Sequence, residues 1–368
     1  MNHIGGGITM THRRGRRGAS IALLATTLAA VVVGAPATAQ SPAPATGLKA
    51  VYVSTEPIGV NPFLQLIKSG LDAGGAEFGV ETDTIESADI SQLEDNLRAA
   101  VEDGHDLIVA NSFDSVDAIT KLAAEFPDQK WALVDTTVDS PNVRGLVFRE
   151  HEGAFLLGAI FGLLATGQYE GFPQSDVIGT VGAVDLPFIR RWYVGFEAGV
   201  HAVNPDAQVL EAWGTGFNDP SGSKELALGQ AAQGAKYIFA FSAAGNSGIF
   251  EAAAEQDFFT SGVDTDQRSI DPAHIVESVV KRTDVGVHDA VRDLAQGTFS
   301  GGVLDYGLSE DGVGPAFIVL PDSPPPSTLP QAVQDQVRQL AADIVSGAIV
   351  VPDYLAQPAP SVAASAQP

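Results

Sequence analysis

Strand and helix signals alternate in two successive sets along this chain, so the sequence predicts an α/β protein of two units, each built from βαβ repeats on a parallel sheet. Three observations carry that prediction. Short apolar runs rich in β-branched residues recur with helical-period segments between them, once over residues 48–135 and again over 177–280. The stretch Gly153–Ala165 is apolar on every side and joins the two sets as a buried helix. Charged groups stand where strands end, at Asp135, Asp264 and Lys281, which is where open α/β sheets bind small polar ligands.

In the first set the strand-like runs are Leu48–Ser54, Val80–Glu86, Asp106–Ala110 and Trp131–Asp135. Helical periodicity falls between them at Phe63–Phe78, Ile90–Glu102 and Val116–Phe126. The pattern pauses at Asn142–Arg149 and resumes as the helix Glu150–Thr166, whose apolar run is too short to span a bilayer. The second set has strands at Val177–Val181, Gln208–Trp213, Lys236–Phe241 and Phe258–Val263, with helices at Arg191–Val203, Lys224–Ala232 and Ile249–Glu255. The strand Ile275–Val280, the helix Val285–Leu294 and short strands at Gly302–Tyr306 and Pro315–Val319 come last. Pro321–Pro330 is a proline-rich link to a terminal helix, Gln331–Ser346, and residues 351–368 read as a disordered tail.

The 368 residues hold two domains of ordinary size, and 45% apolar with 18% charged content is that of a globular protein. The absence of cysteine excludes disulfides, thiolate catalysis and cysteine–zinc sites. Arg13, Arg14, Arg16 and Arg17 precede the apolar run Ile21–Val33, and Ala37-Thr38-Ala39 fits a cleavage site, so residues 1–39 read as a secretion signal and 40–47 as a linker. General and twin-arginine export both remain open. Without those four arginines, 16 basic residues face 45 acidic ones, a net charge of −29. Such a surface repels phosphate backbones and speaks against a nucleic-acid partner.

The candidate site residues stand at strand ends. Asn61 has two open roles, hydrogen bonding to a ligand or capping the helix that Pro62 begins. Phe63 either stacks on a planar ligand or fills the core. Asp135 follows an uncharged strand, where a carboxylate has few structural jobs. In the second set Phe188 follows a strand as a ligand candidate, Trp213 and Phe217 flank a glycine-rich turn as candidate stacking faces, and Gly245 opens a helix with free N–H donors. Asp264 is the strongest polar candidate, since an ionised carboxylate accepts two hydroxyl donors at once. Asp266 reads as a turn residue. Lys281 ends an apolar strand, where an unpaired ammonium is costly, so it pairs with Asp264 or meets a ligand. No close histidine pair, nucleophile elbow, complete dinucleotide fingerprint or calcium loop is found, so no catalytic residue, metal or cofactor is expected.

The segment Gly262–Ala290, GVDTDQRSIDPAHIVESVVKRTDVGVHDA, resembles the GVDxDQ and SVVKRxD loops of the basic membrane protein (PnrA-like) family. FREHEGAFLLG at Phe148–Gly158, VGFEAGVHAVNP at Val194–Pro205, GTGFNDPSGSKE at Gly214–Glu225 and AAGNSGIFEAA at Ala243–Ala253 extend the likeness across Leu48–Leu320. The first loop departs from the family, with Asn61-Pro62-Phe63 where members carry Ser-Phe-Asn and no early aspartate. The resemblance implies a type I periplasmic binding protein, two doubly wound parallel-sheet lobes with a three-strand hinge and a ligand cleft toward which Phe188 projects. On that basis residues 48–148 plus about 274–300 form one lobe, and 149–273 plus about 301–350 the other. It further implies the extracytoplasmic receptor of an ABC importer, a monomer that takes a nucleoside to a permease in the inner membrane. The alternatives are a sensory receptor for a membrane kinase or chemoreceptor, and a nucleoside hydrolase. Because no cysteine follows the signal, the expected location is a free periplasmic form without a lipid anchor.

Overall fold

A computed structural model describes residues 47–356. The signal segment 1–39, the linker up to residue 46 and the tail beyond Ala356 lie outside the described residues.

The first lobe is built from β1 (Lys49–Ser54), α1 (Pro62–Phe78), β2 (Glu81–Glu86), α2 (Leu93–Glu102), β3 (Leu107–Asn111), α3 (Val116–Glu125), β4 (Lys130–Val134) and β5 (Val143–Phe148). These strands pair in parallel in the order β5-β4-β3-β1-β2. Alternate residues of β1 serve opposite faces, as the two-residue period of a strand requires. Ala50 and Tyr52 pack with Leu64, Ile67 and Leu71 of α1, while Val51 and Val53 pack with Leu93 and Leu97 of α2 and Ile119 of α3. A strand covered on both faces reads as a continuous apolar run, which is why β1 and β3 were plain in the sequence.

β5 fills the pause at Asn142–Arg149. Two features hide it as a strand. Gly145 lies against Thr137, where a Cβ would come within 2.5 Å of the Thr137 Cβ. Arg144 is buried, with its guanidinium bound to Asp293 at 2.7 Å and resting 4.2 Å from the Phe299 ring centre.

The helix α4 (Glu150–Leu164) leaves the first sheet and is buried along its length except at Glu152. The second lobe continues with β6 (Val177–Gly182), α5 (Pro187–Val203), β7 (Gln208–Trp213), α6 (Pro220–Ala232), β8 (Tyr237–Phe241), α7 (Asn246–Gln256), β9 (Phe259–Asp264) and β10 (Ile275–Lys281). α8 (Thr283–Gln296), β11 (Gly302–Tyr306), β12 (Val313–Pro315), α9 (Ala316–Val319) and α10 (Gln331–Val345) follow. The second sheet has the order β12-β10-β9-β8-β6-β7, and the first, with β11 on its edge, has β11-β5-β4-β3-β1-β2. The two orders are the same plan used twice, with β1 matching β6 and β4 matching β9. The chain passes between lobes three times, at β5 to α4, β10 to α8 and β11 to β12.

Three expectations need correction. β10 lies within the residues 274–300 expected in the first lobe, yet it pairs with β9 in the second sheet and all seven of its residues are buried. Only α8 returns, packing on α1 of the first lobe, and β11 joins that lobe by pairing in parallel with β5. The strand expected at Pro315–Val319 ends at Pro315, and the next residues form a helical turn. The buried Glu277 explains this, because its Oε1 accepts the Ala316 N–H at 3.0 Å and so caps that turn. The part of the tail within the described residues is also folded, with Val351 buried among core residues of the second lobe.

Candidate functional site

The strand tips of both lobes surround a cavity of about 440 Å³. From the first lobe come Thr55, Glu56, Asn61, Phe63, Asn111, Ser112, Phe113, Asp114, Asp135 and Thr136. The second lobe supplies Leu186, Phe188, Ile189, Trp192, Phe217, Phe241, Ala243, Val263, Asp264 and Lys281. Seven of the nine residues expected from the sequence therefore share one wall: Asn61, Phe63, Asp135, Phe188, Phe217, Asp264 and Lys281.

Trp213 and Gly245 stand behind that wall. The Trp213 indole lies edge-on to Phe241, with ring centres 5.7 Å apart, and beneath the Arg190 guanidinium at 5.0 Å. It supports Phe241, which does reach the cavity. Gly245 is held against α6, where a Cβ would come within 2.6 Å of the Ser223 Oγ. Its place in the wall is taken by Ala243.

Asn61 caps α1, accepting the Phe63 N–H at 3.1 Å, while its Nδ2 donates to Glu56 at 3.3 Å. The two roles left open for Asn61 are thus compatible, since the capping residue also borders the cavity. Phe113 and Phe188 meet across the cleft with ring centres 4.9 Å apart, one from each lobe. Sequence reasoning left Phe113 and Trp192 out of the site. The signal for Trp192 was its spacing of four from Phe188, which puts both on one face of α5.

Backbone geometry singles out the same strand tips. Ser112, Asp135, Ala243 and Asp264 have φ of 71°, 70°, 51° and 64°, a region that side-chain-bearing residues rarely adopt. All four line the cavity. They end the matching strands β3 and β8, and β4 and β9, so the two lobes present the same turn to the cleft twice.

Lys281 is the electrostatic centre of the site. Its ammonium lies 2.6 Å from Asp135 of the other lobe, 3.7 Å from Glu150 and 3.9 Å from Asp264. It also sits 4.6 Å from the centre of the Phe63 ring. The sequence left Lys281 to pair with Asp264 or to meet a ligand; its closest partner is Asp135, with Asp264 further off. Burial works against the charged lysine, but Asp135, Asp264 and Glu150 outweigh it and leave its pKa above the ordinary value. One ammonium does not satisfy three acids in a dry site. Burial accordingly pushes Asp264 up to about 6 and Glu150 up to about 7, against the opposing pull of Lys281. Asp135 Oδ1 is buried without a partner, and the Asp264 carboxylate accepts no hydrogen bond among the described residues.

Asp266, two residues on, is occupied. It takes two N–H donors from Arg268 at 2.8 and 2.7 Å and the Ser323 hydroxyl at 2.8 Å, away from the cavity. Among the described residues no group of histidines and acids could hold a metal ion. No helix among them is long and apolar enough to cross a membrane.

The Bmp family model, described as ABC transporter substrate-binding protein PnrA-like, matches residues 48–354. A CD4+ T-cell-stimulating antigen of Listeria monocytogenes is 28% identical over 327 residues, covering 83% of this chain and 87% of that protein. The crystal structure of an ABC transporter solute-binding protein from Aeropyrum pernix superposes with a TM-score of 0.72 at 27% identity, covering 83% of this chain and 94% of that one. An uncharacterized lipoprotein of Pyrococcus abyssi is 29% identical over 260 residues, covering 67% of this chain and 63% of that protein. That relative overturns the expectation of a free periplasmic form without a lipid anchor. The expectation rested on the missing cysteine, which bears on one attachment chemistry and not on whether the protein is held at a membrane surface. With 307 consecutive residues inside the family model and the same two-lobed plan in a solved solute-binding protein, the chain belongs to the Bmp family of PnrA-like ABC transporter substrate-binding proteins.

Proposed function

We propose that this receptor captures a nucleoside, or a similarly flat and hydroxylated solute, between its lobes and presents the closed form to an ABC permease as a monomer. One observation carries the reading. Two carboxylates with unused acceptor oxygens, Asp135 and Asp264, face a cavity whose wall also carries six aromatic side chains. Buried acceptors left without donors are costly, so a fitting solute brings hydroxyl or amino hydrogens to them. Phe63, Phe113, Phe188, Trp192 and Phe217 supply flat apolar surface for a heteroaromatic ring. The volume of about 440 Å³ falls within the range of small-molecule sites. Glu56, Asp114, Asp135 and Asp264 outnumber the single cavity lysine, which disfavours anionic solutes such as nucleotides. The action is binding and lobe closure, with no chemical change to the solute.

A thermal-shift screen of nucleosides, free bases, sugars and amino acids, followed by calorimetry of the hits, tests the reading. Purine nucleosides should raise the melting temperature and return from the incubation chemically intact. Stabilisation by sugars or amino acids alone would sink the nucleoside assignment and leave the receptor role standing.

A further inference from the structure

Val351 is buried in the second lobe, and four residues later Leu355 stands in the cavity wall. The turn between them is pinned. Arg191 on α5 grips Asp353 with two parallel N–H donations, Nε to Oδ1 and Nη2 to Oδ2, each 2.9 Å. Asp353 Oδ1 also accepts the Leu355 backbone N–H at 3.0 Å. A forked ion pair of this kind fixes direction as well as distance. The third nitrogen of the same guanidinium, Nη1, donates to the Phe148 carbonyl, where the chain crosses between lobes, and to Glu150 at 3.0 Å. The C-terminal segment is therefore tied to the crossing and to the acids around Lys281.

Leu355 borders two spaces. One is the main cavity, and the other is an adjoining recess of about 190 Å³ whose wall includes Thr137, Val147, Glu150 and Arg191. Phe188, Trp192 and Lys281 belong to both walls, so the two spaces abut. Leu355 is 50% exposed, so it fills no core. An apolar side chain held by an ion pair at the junction of two spaces has little structural work there.

We propose that residues 351–356 are part of the solute site, a strap whose Leu355 bounds the cavity and sets how bulky a solute it accepts. The nucleoside reading enters only in the choice of probe. Trimming Leu355 to alanine joins the recess to the cavity, giving room to a bulky apolar extension and taking one apolar contact from the compact parent. Apolar pockets discriminate by about tenfold for a change on this scale.

The test compares adenosine with N6-benzyladenosine and 5′-O-benzoyladenosine by calorimetry on the wild type and Leu355→Ala. The ratio of bulky to parent affinity should rise about tenfold for at least one analogue in Leu355→Ala, and should fall in Leu355→Trp. Ratios within twofold of the wild type in both variants overturn the proposal. A second arm needs no ligand. Hydrogen exchange over residues 135–137 and 186–192 should be faster in a chain ending at Pro352, which keeps Val351, than in one ending at Ala356. If no nucleoside binds the intact chain, the nucleoside reading fails and this arm decides the strap alone, equal exchange in the two chains overturning it.

Discussion

Two aspartates two residues apart in one loop have opposite fates. Asp264 is buried at the cavity with its acceptors free, while Asp266 is saturated by Arg268 and Ser323. Asp264→Ala should therefore weaken solute binding about tenfold to a hundredfold, from the roughly 1.5–3 kcal/mol of a hydrogen bond to a charged group. Asp266→Ala should leave affinity nearly unchanged and lower the melting temperature, because it takes from the buried Arg268 its forked partner and leaves only Glu277 at 3.8 Å and the Ser323 carbonyl. Calorimetry and melting curves on both variants separate the two roles, and the reverse pattern would refute the assignment. A second expectation concerns acidity. Burial raises Glu150 and Glu277 to about 7, so the folded protein holds these protons more tightly than the unfolded chain does. Their contribution is complete below their ordinary value near 4.5 and is lost as pH rises from there to about 7. His151, lowered to about 4 by burial and by Arg191, acts in the opposite sense, but only up to its ordinary value near 6.5. Two acids outweigh the one histidine, so without solute the melting temperature should fall between about pH 5 and 7 and level off above. Glu277→Gln, which keeps the acceptor used by Ala316, should flatten that fall, and unchanged slopes would exclude Glu277 as a source.

α4 and α5 approach so closely that several positions, Gly158 and Gly199 most severely, admit only glycine. A Cβ on Gly199 would lie 1.9 Å from the Phe155 carbonyl oxygen, and one on Gly158 2.0 Å from that of Phe196. Either glycine changed to alanine should cost about 2–3 kcal/mol or more in denaturant unfolding, because backbone has to move. A cost below 1 kcal/mol would show that the helix pair yields easily. The two glycines also mark what could be read from the sequence. Long apolar strands and amphipathic helices announce themselves by period, and so do strand tips that carry an acid or a lysine. β5 did not, because an arginine buried on an ion pair and a glycine under a threonine break the apolar run. The helical turn after β12 could not be read either, since its cap is Glu277, thirty-nine residues away in sequence. In the site, Asp135, Asp264 and Lys281 were legible as lone charges ending apolar strands. Their order of pairing was not, since the 2.6 Å partner of Lys281 belongs to the other lobe.

Across the whole molecule the lobes meet through few polar and aromatic contacts at the cleft. Lys281 reaches Asp135, and Phe113 touches Phe188, each pair joining opposite lobes. Breaking both links with Asp135→Asn and Phe113→Ala should let the solute-free protein open, seen in small-angle scattering as a larger radius of gyration. Saturating solute should compact the wild type or leave it closed, and should compact the double variant less. Identical profiles for wild type and variant would mean that the hinge alone sets the lobe angle.

Ser112 ends β3 at φ 71° and ψ 158°, a conformation that glycine adopts freely and serine adopts at a cost of about 1–3 kcal/mol. Ser112→Gly should thus make the protein more heat-resistant. A positive φ recurs at the three matching strand tips, so this receptor is less stable than its own framework would permit. Selection for robustness alone would replace these corners with glycine and erase the side chains that face the cleft. A laboratory search for hardier variants would then be drawn toward proteins that fold better and carry nothing.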